Sequence, residues 1–374
     1  MHNFQNVVMT ELSSAAIRHR PNLSPKARYP RPSKELAVVV GSDNRMGKTW
    51  SQIVPPTPQF TEKDVPDQTG KVEYPGWVFI VTGASSGVGQ ELAQILYSHN
   101  AKVYVAARSA EKATRAIESI KTNFPNSKGQ MVYLHLDLDD LTTIKASAEE
   151  FLSKEDKLDV LWNNAGVMIP PQGSKTKQGY ELQLGTNNLA PFLFTKLLTP
   201  ILIKTAKSAP TGTVRVVWVS SSAAENFIPH GGVEIDNLDY KRDQRAWTKY
   251  GISKAGNIFH ATEYAKRYGN DGIISVALNP GNLKTELTRH TPSFGQFIFS
   301  FLTYTPIHGA YTELFAGLSP EVTPAKNGAW IQPWGRFDEL RQDVVASIKS
   351  EAEGGTGVAA RFWEWTEEQV KAYL

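Results

Sequence analysis

The chain has no cysteine among its 374 residues. Disulfides, zinc ribbons, iron–sulfur clusters and thiol nucleophiles are therefore all excluded. A reducing compartment, the cytoplasm, fits that composition. Its eight histidines lie far apart, and none forms the His-x-x-x-His or His-Glu-x-x-His grouping that sets two ligands on one helix face, so no metal is expected. The formal charge of +3 comes from 40 basic and 37 acidic residues scattered along the sequence. There is no polybasic block and no interleaved aromatic–basic stripe, which argues against a nucleic-acid partner. No apolar run reads as the roughly 18 to 20 residues that cross a bilayer. The first 25 residues also lack the compact apolar stretch of a secretory signal, so no firm membrane association is expected. The segment Phe294 to Tyr304 (FGQFIFSFLTY) is the most apolar short stretch and reads as a buried or substrate-covering element.

What is present is enough apolar residue for one large core, at 41% hydrophobic and 21% charged. Residues 1 to about 67 carry Pro21, Pro25, Pro30, Pro32, Pro55, Pro56, Pro58 and Pro66 with no sustained apolar period, and read as a poorly ordered arm. Its first 34 residues set Glu11 alone against Arg18, Arg20, Lys26, Arg28, Arg31 and Lys34, a balance shared with organelle transit peptides. A solvated tail, or a start at Met46, is the plainer reading.

From Trp77 onward, apolar β-type runs alternate with amphipathic helical stretches. Strands are expected at 77–82, 102–107, 131–136, 158–163, 213–220, 273–279 and 328–332, and helices near 87–99, 109–122, 140–153, 180–206 and 248–268. Strands separated by helices imply right-handed crossovers and a sheet covered on both faces. The expected fold is α/β: a doubly wound, Rossmann-type parallel sheet in one domain, residues 68–374, with 286–374 as a C-terminal segment over the substrate.

Directly after the first strand the sequence reads Thr82-Gly83-Ala84-Ser85-Ser86-Gly87-Val88-Gly89, then a helical run. Gly83 permits the tight turn, Gly87 lets the backbone approach a pyrophosphate, and Gly89 lets helix and sheet pack closely; the free N–H groups of the helix start, with Ser85, Ser86 and Val88 around them, face the anion. At the end of the second strand, where a carboxylate would bind the ribose hydroxyls of NAD, stands Ala107-Arg108-Ser109. Arg108 offers a cationic fork for a 2′-phosphate and Lys112 a second charge one turn later, which favours NADP(H).

Tyr250 and Lys254 are four apart in a helical stretch, so both project from one face. An ammonium beside a phenol is expected to lower its pKa from the usual value near 10, fitting it to take or give the proton of an alcohol or carbonyl oxygen. A lone Tyr-x-x-x-Lys means little. This one follows a serine-rich strand end, Val219-Ser220-Ser221-Ser222. Upstream, Pro191 has no N–H, so the Asn187 carbonyl loses its helical partner and becomes a candidate holder of a relay water; the plainer outcome is a helix kink.

Four motifs in order, Thr82 to Gly89, Asn163-Asn164-Ala165-Gly166, Tyr250 to Lys254, and Asn279-Pro280-Gly281, resemble those of the short-chain dehydrogenases/reductases over roughly residues 68–335. The version here looks most like the retinol dehydrogenase-like and fungal secondary-metabolism branch. The resemblance implies catalysis by Ser221 (Ser220 being the adjacent alternative), Tyr250, Lys254 and Asn187. It also implies cofactor contacts from Asp137 and Leu138, from Asn164, Ala165 and Gly166, and from Pro280, Gly281, Leu283 and Thr285. Asp137 has a second reading as the cap of the next helix. In this family helices such as those near 180–206 and 248–268 often pair chains into a homodimer, and the expected partner is a small hydrophobic alcohol or carbonyl. Two alternatives stay open: a non-catalytic NADP(H)-binding scaffold, and a sugar-nucleotide epimerase or dehydratase. One departure from the family pattern is Val72 to Trp77, inserted between Thr69-Gly70-Lys71 and the first strand. It either loops out at Pro75-Gly76 or shifts the strand register.

Overall fold

A computed structural model of the chain describes residues 51–52, 54–71, 74–284 and 303–374. Runs of β-branched and aromatic residues form its strands, and these are buried because helices cover both faces. They are β3 (Val78–Thr82), β4 (Lys102–Ala107), β5 (Gln130–His135), β6 (Val160–Asn163), β7 (Arg215–Val219), β8 (Ile274–Leu278), β9 (Trp330–Gln332) and β10 (Arg336–Asp338). The sheet order is β10-β9-β8-β7-β6-β3-β4-β5, with every pairing parallel except that of β9 with β10. The order reverses at β3, so crossovers leave it in both directions and open a crevice at the C-terminal ends of β3 and β6.

The helices are α1 (Gly87–Ser98), α2 (Ala110–Asn123), α3 (Leu141–Leu152), α4 (Ala190–Ala206), α5 (Ala246–Tyr268), α6 (Pro306–Leu318), α7 (Gln342–Ile348) and α8 (Val358–Val370). Alternation along the strands splits the core. Val216 and Trp218 of β7 face α3, α4, α5 and α8, while Val217 and Val219 face α1, α2 and α6.

Four expectations change. First, the Val72–Trp77 insert leaves the strand register alone. Gly70–Lys71 (β1) pairs antiparallel with Tyr74–Pro75 (β2), and Trp77 N–H returns to the Gln68 carbonyl at 3.1 Å. The buried Asp159 carboxylate accepts the Val78 amide at 2.7 Å, and this pins the start of β3. Second, packed chain begins well before residue 67. Phe60 and Val65 are buried, Phe60 edge-on to Phe315 at 6.1 Å, and Gln52 bonds Glu225 (3.0 Å) and Asn279 (3.4 Å). Residues 1–50, Met46 included, lie outside the described residues.

Third, residues 306–374 are integral to the domain. They supply α6 against α1 and the sheet, two edge strands, and α8 against α5. Most of Phe294 to Tyr304 is outside the described residues; Tyr304 packs on Trp334 at 4.9 Å. Fourth, the helical run Leu182–Ala206, at mean hydropathy 1.3 over its best window, is long and apolar enough to cross a membrane, contrary to the reading of short apolar runs. In the fold that window is 67% buried, because both sides of the helix meet other elements. The faces of α4 and α5 expected to pair two chains are covered by this chain's own α8. Phe362 stacks on His260 (5.1 Å), Trp363 meets Phe192 edge-on (4.7 Å), and Glu367 is ion-paired with Lys196.

Candidate active site

The nucleotide side is built from the backbone outward. β3 ends in a turn where Gly83 (φ 70°) and Gly87 (φ 60°) occupy the left-handed region. A side chain on Gly89 would lie 2.5 Å from Asn164 Nδ2, whereas at Gly87 nothing stands within 4 Å. Gly89 therefore serves packing, and Gly87 leaves bare backbone facing open space. Ser86, extended and exposed, makes no side-chain cap, so the first amides of α1 stay free for an anion. Ser85 and Val88 flank them, partly exposed. Arg108 is exposed just past β4, and Lys112 is exposed in the first turn of α2, which Ser109 caps.

Asp137 is half-buried after β5, beside the buried Leu138, and accepts the Asp139 amide at 3.1 Å. The cap of α3 is Asp140, so capping is not the role of Asp137. Asn164 Nδ2 donates to the Thr82 carbonyl at 2.7 Å, and Ala165 N–H donates to Thr82 Oγ1 at 2.9 Å. These two bonds fasten the Asn-Asn-Ala-Gly turn to the glycine turn. Gly281 (φ 90°) lies flush on Trp334, half-buried like its neighbour Pro280, and Leu283 bridges to Tyr304. Thr285 is outside the described residues. Free helix-start amides, uncovered glycine backbone and an exposed guanidinium beside the second strand are the donor set a dinucleotide diphosphate and ribose need, and the site fits that group.

The reacting groups converge at the same edge of the sheet. The Ser220 hydroxyl is spent on the Lys254 carbonyl (2.6 Å), whereas the Ser221 hydroxyl, which accepts the Ala223 amide at 3.2 Å, lies beside the Tyr250 phenol and lowers its pKa. Of the two serines, Ser221 is the one that lies beside the phenol. Lys254 Nζ donates to the Val219 carbonyl (3.0 Å) and lies 5.8 Å from the Tyr250 ring centre. Asn187 Oδ1 accepts the Val167 amide (2.8 Å), and its Nδ2 donates to the Val167 carbonyl and to Ser253 Oγ, both at 3.0 Å. A side chain on Gly166 would come 3.0 Å from Asn187 Oδ1 and 3.4 Å from Lys254 Nζ, so this glycine makes room for both. The kink expected from Pro191 takes the form of a π-helical turn at Gly185–Leu189, with Pro191 in the first turn of α4, where its missing N–H is least disruptive.

The electrostatics differ from the sequence expectation. Burial pushes the Tyr250 phenol up to about 12, and the neighbouring Ser221 hydroxyl pulls back only part of that. Burial likewise brings the Lys254 ammonium down to about 8. Desolvation of both groups outweighs the attraction between ammonium and phenolate. Several supporting residues went unread in the sequence. Asn257 Nδ2 also donates to the Val219 carbonyl (3.0 Å), and Asn188 Nδ2 links the Ser253 carbonyl to Asn257 Oδ1 (2.8 Å each). The spacing of Asn257, three residues after Lys254 on the same helix face, was the available signal.

A phenol able to pass a proton at the mouth of a dinucleotide cradle defines an oxidoreductase working with a nicotinamide on alcohols and carbonyls. The chain belongs to the short-chain dehydrogenase/reductase family. Residues 77–233 match the short chain dehydrogenase family pattern. A short-chain dehydrogenase/reductase of Phomopsis amygdali is 54% identical over 339 residues, which is 89% of this chain and 99% of that one. The fungal relative pkfC of Emericella nidulans is 50% identical over 85% of this chain and 98% of its own. In fold, the NADPH-bound carbonyl reductase from chicken fatty liver aligns over 70% of this chain and 98% of its own with TM-score 0.53 at 23% identity.

Proposed function

We propose that the protein is an NADP(H)-dependent reductase that converts a carbonyl to an alcohol, reversibly, on a bulky and poorly polar small molecule, within secondary-metabolite biosynthesis. The observation that carries this reading is the placing of Ser221 and Lys254 beside the Tyr250 phenol at the sheet edge that also bears the glycine turn. NADP(H) is favoured by the exposed Arg108 where a carboxylate would serve NAD. A poorly polar substrate is favoured by Phe227 and Trp247, which are 44% and 39% exposed, lie 4.9 Å apart, and include the ring that meets Tyr250 at 6.3 Å. The pathway role rests on the likeness to fungal relatives.

When bound, the nicotinamide supplies the hydride in reduction or takes it in oxidation. The Ser221 hydroxyl holds the substrate oxygen against Tyr250, whose phenol donates its proton to that oxygen. A phenol kept protonated by burial suits the donor role at neutral pH. Lys254 stabilises the phenolate left behind, and the Asn187 turn is the route by which the proton is replaced.

Tyr250→Phe is expected to lower kcat by roughly 10²- to 10⁴-fold while NADPH binding by fluorescence is unchanged. Full activity in that variant on a panel of hydrophobic aldehydes, ketones and alcohols would show that Tyr250 is not the proton donor, and a wild type that binds NADPH but turns over nothing on the panel would leave a scaffold role. Arg108→Ala is expected to raise KM for NADPH about tenfold and to leave KM for NADH nearly unmoved; an equal rise in both rules out selection by this residue.

A further inference from the structure

Gln52 belongs to the stretch whose prolines read as a poorly ordered arm, yet it is only 8% exposed. The backbone beside it is held from the edge of the sheet, where Arg336 of β10 donates to the Ser51 carbonyl at 3.0 Å. Its side chain closes a ring of polar groups drawn from separate segments of the chain. Gln52 Nε2 and Gln332 Nε2 both donate to Glu225 Oε2, at 3.0 and 3.2 Å. Asn279 Nδ2 donates to the other ends of the same two side chains, to Gln52 Oε1 at 3.4 Å and to Gln332 Oε1 at 3.1 Å. Asn279 Oδ1 then accepts the Gly281 amide at 3.0 Å.

The chemistry fixes the direction of every bond in that ring. A carboxylate only accepts, so both glutamines turn their NH2 groups to Glu225 and their oxygens to Asn279. Asn279 must give its own NH2 to those oxygens, which leaves its oxygen for the Gly281 amide. At position 52 a glutamate would have no proton to offer Glu225 at neutral pH, and a methionine of the same length would serve neither partner. The two ends so joined belong to the two halves of the reacting centre. Glu225 stands in the short helix Ala223–Asn226, just after Ser221. A side chain on Gly251 would lie 2.8 Å from the Phe227 carbonyl and 2.9 Å from the Ala223 carbonyl, so that helix rests on the turn of α5 that carries Tyr250. Gly281 lies in the turn after β8, the segment that the family resemblance gives to the cofactor.

We propose that Gln52 is a positioning residue for the reduction: it ties the serine–phenol side of the site to the turn that receives the nicotinamide and keeps the two in register. This deepens the reductase reading and rests on it for its catalytic consequence. Gln332 spans the same two partners, and Arg341 Nη1 independently holds the Glu225 carbonyl at 2.6 Å. Loss of Gln52 therefore loosens the joint without unravelling it.

The test is Gln52→Met in the full-length chain, read in three ways. Without cofactor, hydrogen exchange at the Gly281 amide should quicken about tenfold, because Asn279 has lost part of its support. In turnover, kcat should fall about tenfold, while the Kd for NADPH measured by fluorescence is nearly unchanged, since the glycine turn is untouched. The melting temperature should fall by a few degrees at most. Gln332→Met removes the parallel bridge, and the double variant is expected to lose more than the product of the two single losses. Unchanged exchange at Gly281 overturns the proposal whatever happens to kcat, as does a loss of kcat that only follows the folded fraction. Wild-type kcat in the double variant overturns it as well. A wild type that turns over no carbonyl refutes the functional reading instead, and the exchange at Gly281 still decides whether Gln52 holds that turn.

Discussion

Gly166 shows how much a single missing side chain does in this site. Its bare backbone lets Asn187 Oδ1 and Lys254 Nζ share one small space. Gly166→Ala is therefore expected to lower kcat tenfold or more, roughly the effect of a displacement under 1 Å, with the melting temperature little changed; wild-type kcat in that variant would show that the two groups have slack. His260 is a residue of the opposite kind, with no part in the chemistry. It sits fully buried among Phe192, Trp218, Phe362 and Trp363, its Nε2 3.3 Å from Thr366 Oγ1, and desolvation drives its pKa down to about 3. The unfolded chain takes up that proton near 6.5 and the folded chain only near 3, so the unfolded state binds more protons between those values. Stability should fall as pH drops through that window, by up to about 1.4 kcal/mol per unit. Urea midpoints at pH 7, 6 and 5 check this, with a shallower slope expected for His260→Gln.

At the level of elements, α6 is fixed at both ends. Its first turns meet the cofactor cradle, and its last carbonyls are capped by a residue distant in sequence: Arg215 of β7 donates to Ala316 (3.1 Å) and Ser319 (2.9 Å) as well as to Gly212 (2.8 Å). Arg215→Met keeps the aliphatic stem and leaves those carbonyls unpaired, an expected loss of about 2–4 kcal/mol in urea unfolding. Because α6 seats Leu283 and Val88, NADPH affinity should weaken along with stability. A stable variant with normal affinity would mean that water replaces the guanidinium. The β1–β2 hairpin teaches a related lesson. The insertion is tolerated because Asp159 and the ladder with β4 hold β3 independently of what precedes it.

In the molecule as a whole, α8 closes the domain by lying on α5, so that Tyr250 through Tyr264 are buried without a second chain. Pairing of two chains through α4 and α5 is therefore not expected. Light scattering should give no self-association through this face until α8 is loosened by Phe362→Asp. A dimer whose hydrogen-exchange protection maps to α4 and α5 in the intact chain would contradict that. The sheet itself was legible in the sequence from Trp77 to Gln332, since each strand is a short apolar run and each crossover helix carries a clear amphipathic period. The edge strand β10 and helices α6, α7 and α8 were not. Their apolar residues are few and spread over short elements, and they find partners far away along the chain.

Local backbone demands determined the glycine turn, the Tyr250–Lys254 pair and the Asn-Asn-Ala-Gly turn, because left-handed φ values and a four-residue helical spacing leave direct marks in a string of residues. Folding in three dimensions decided which serine lies beside the phenol and that burial raises Tyr250 rather than letting Lys254 lower it. Those outcomes depend on desolvation and on contacts across the sheet, and no spacing along the chain encodes either.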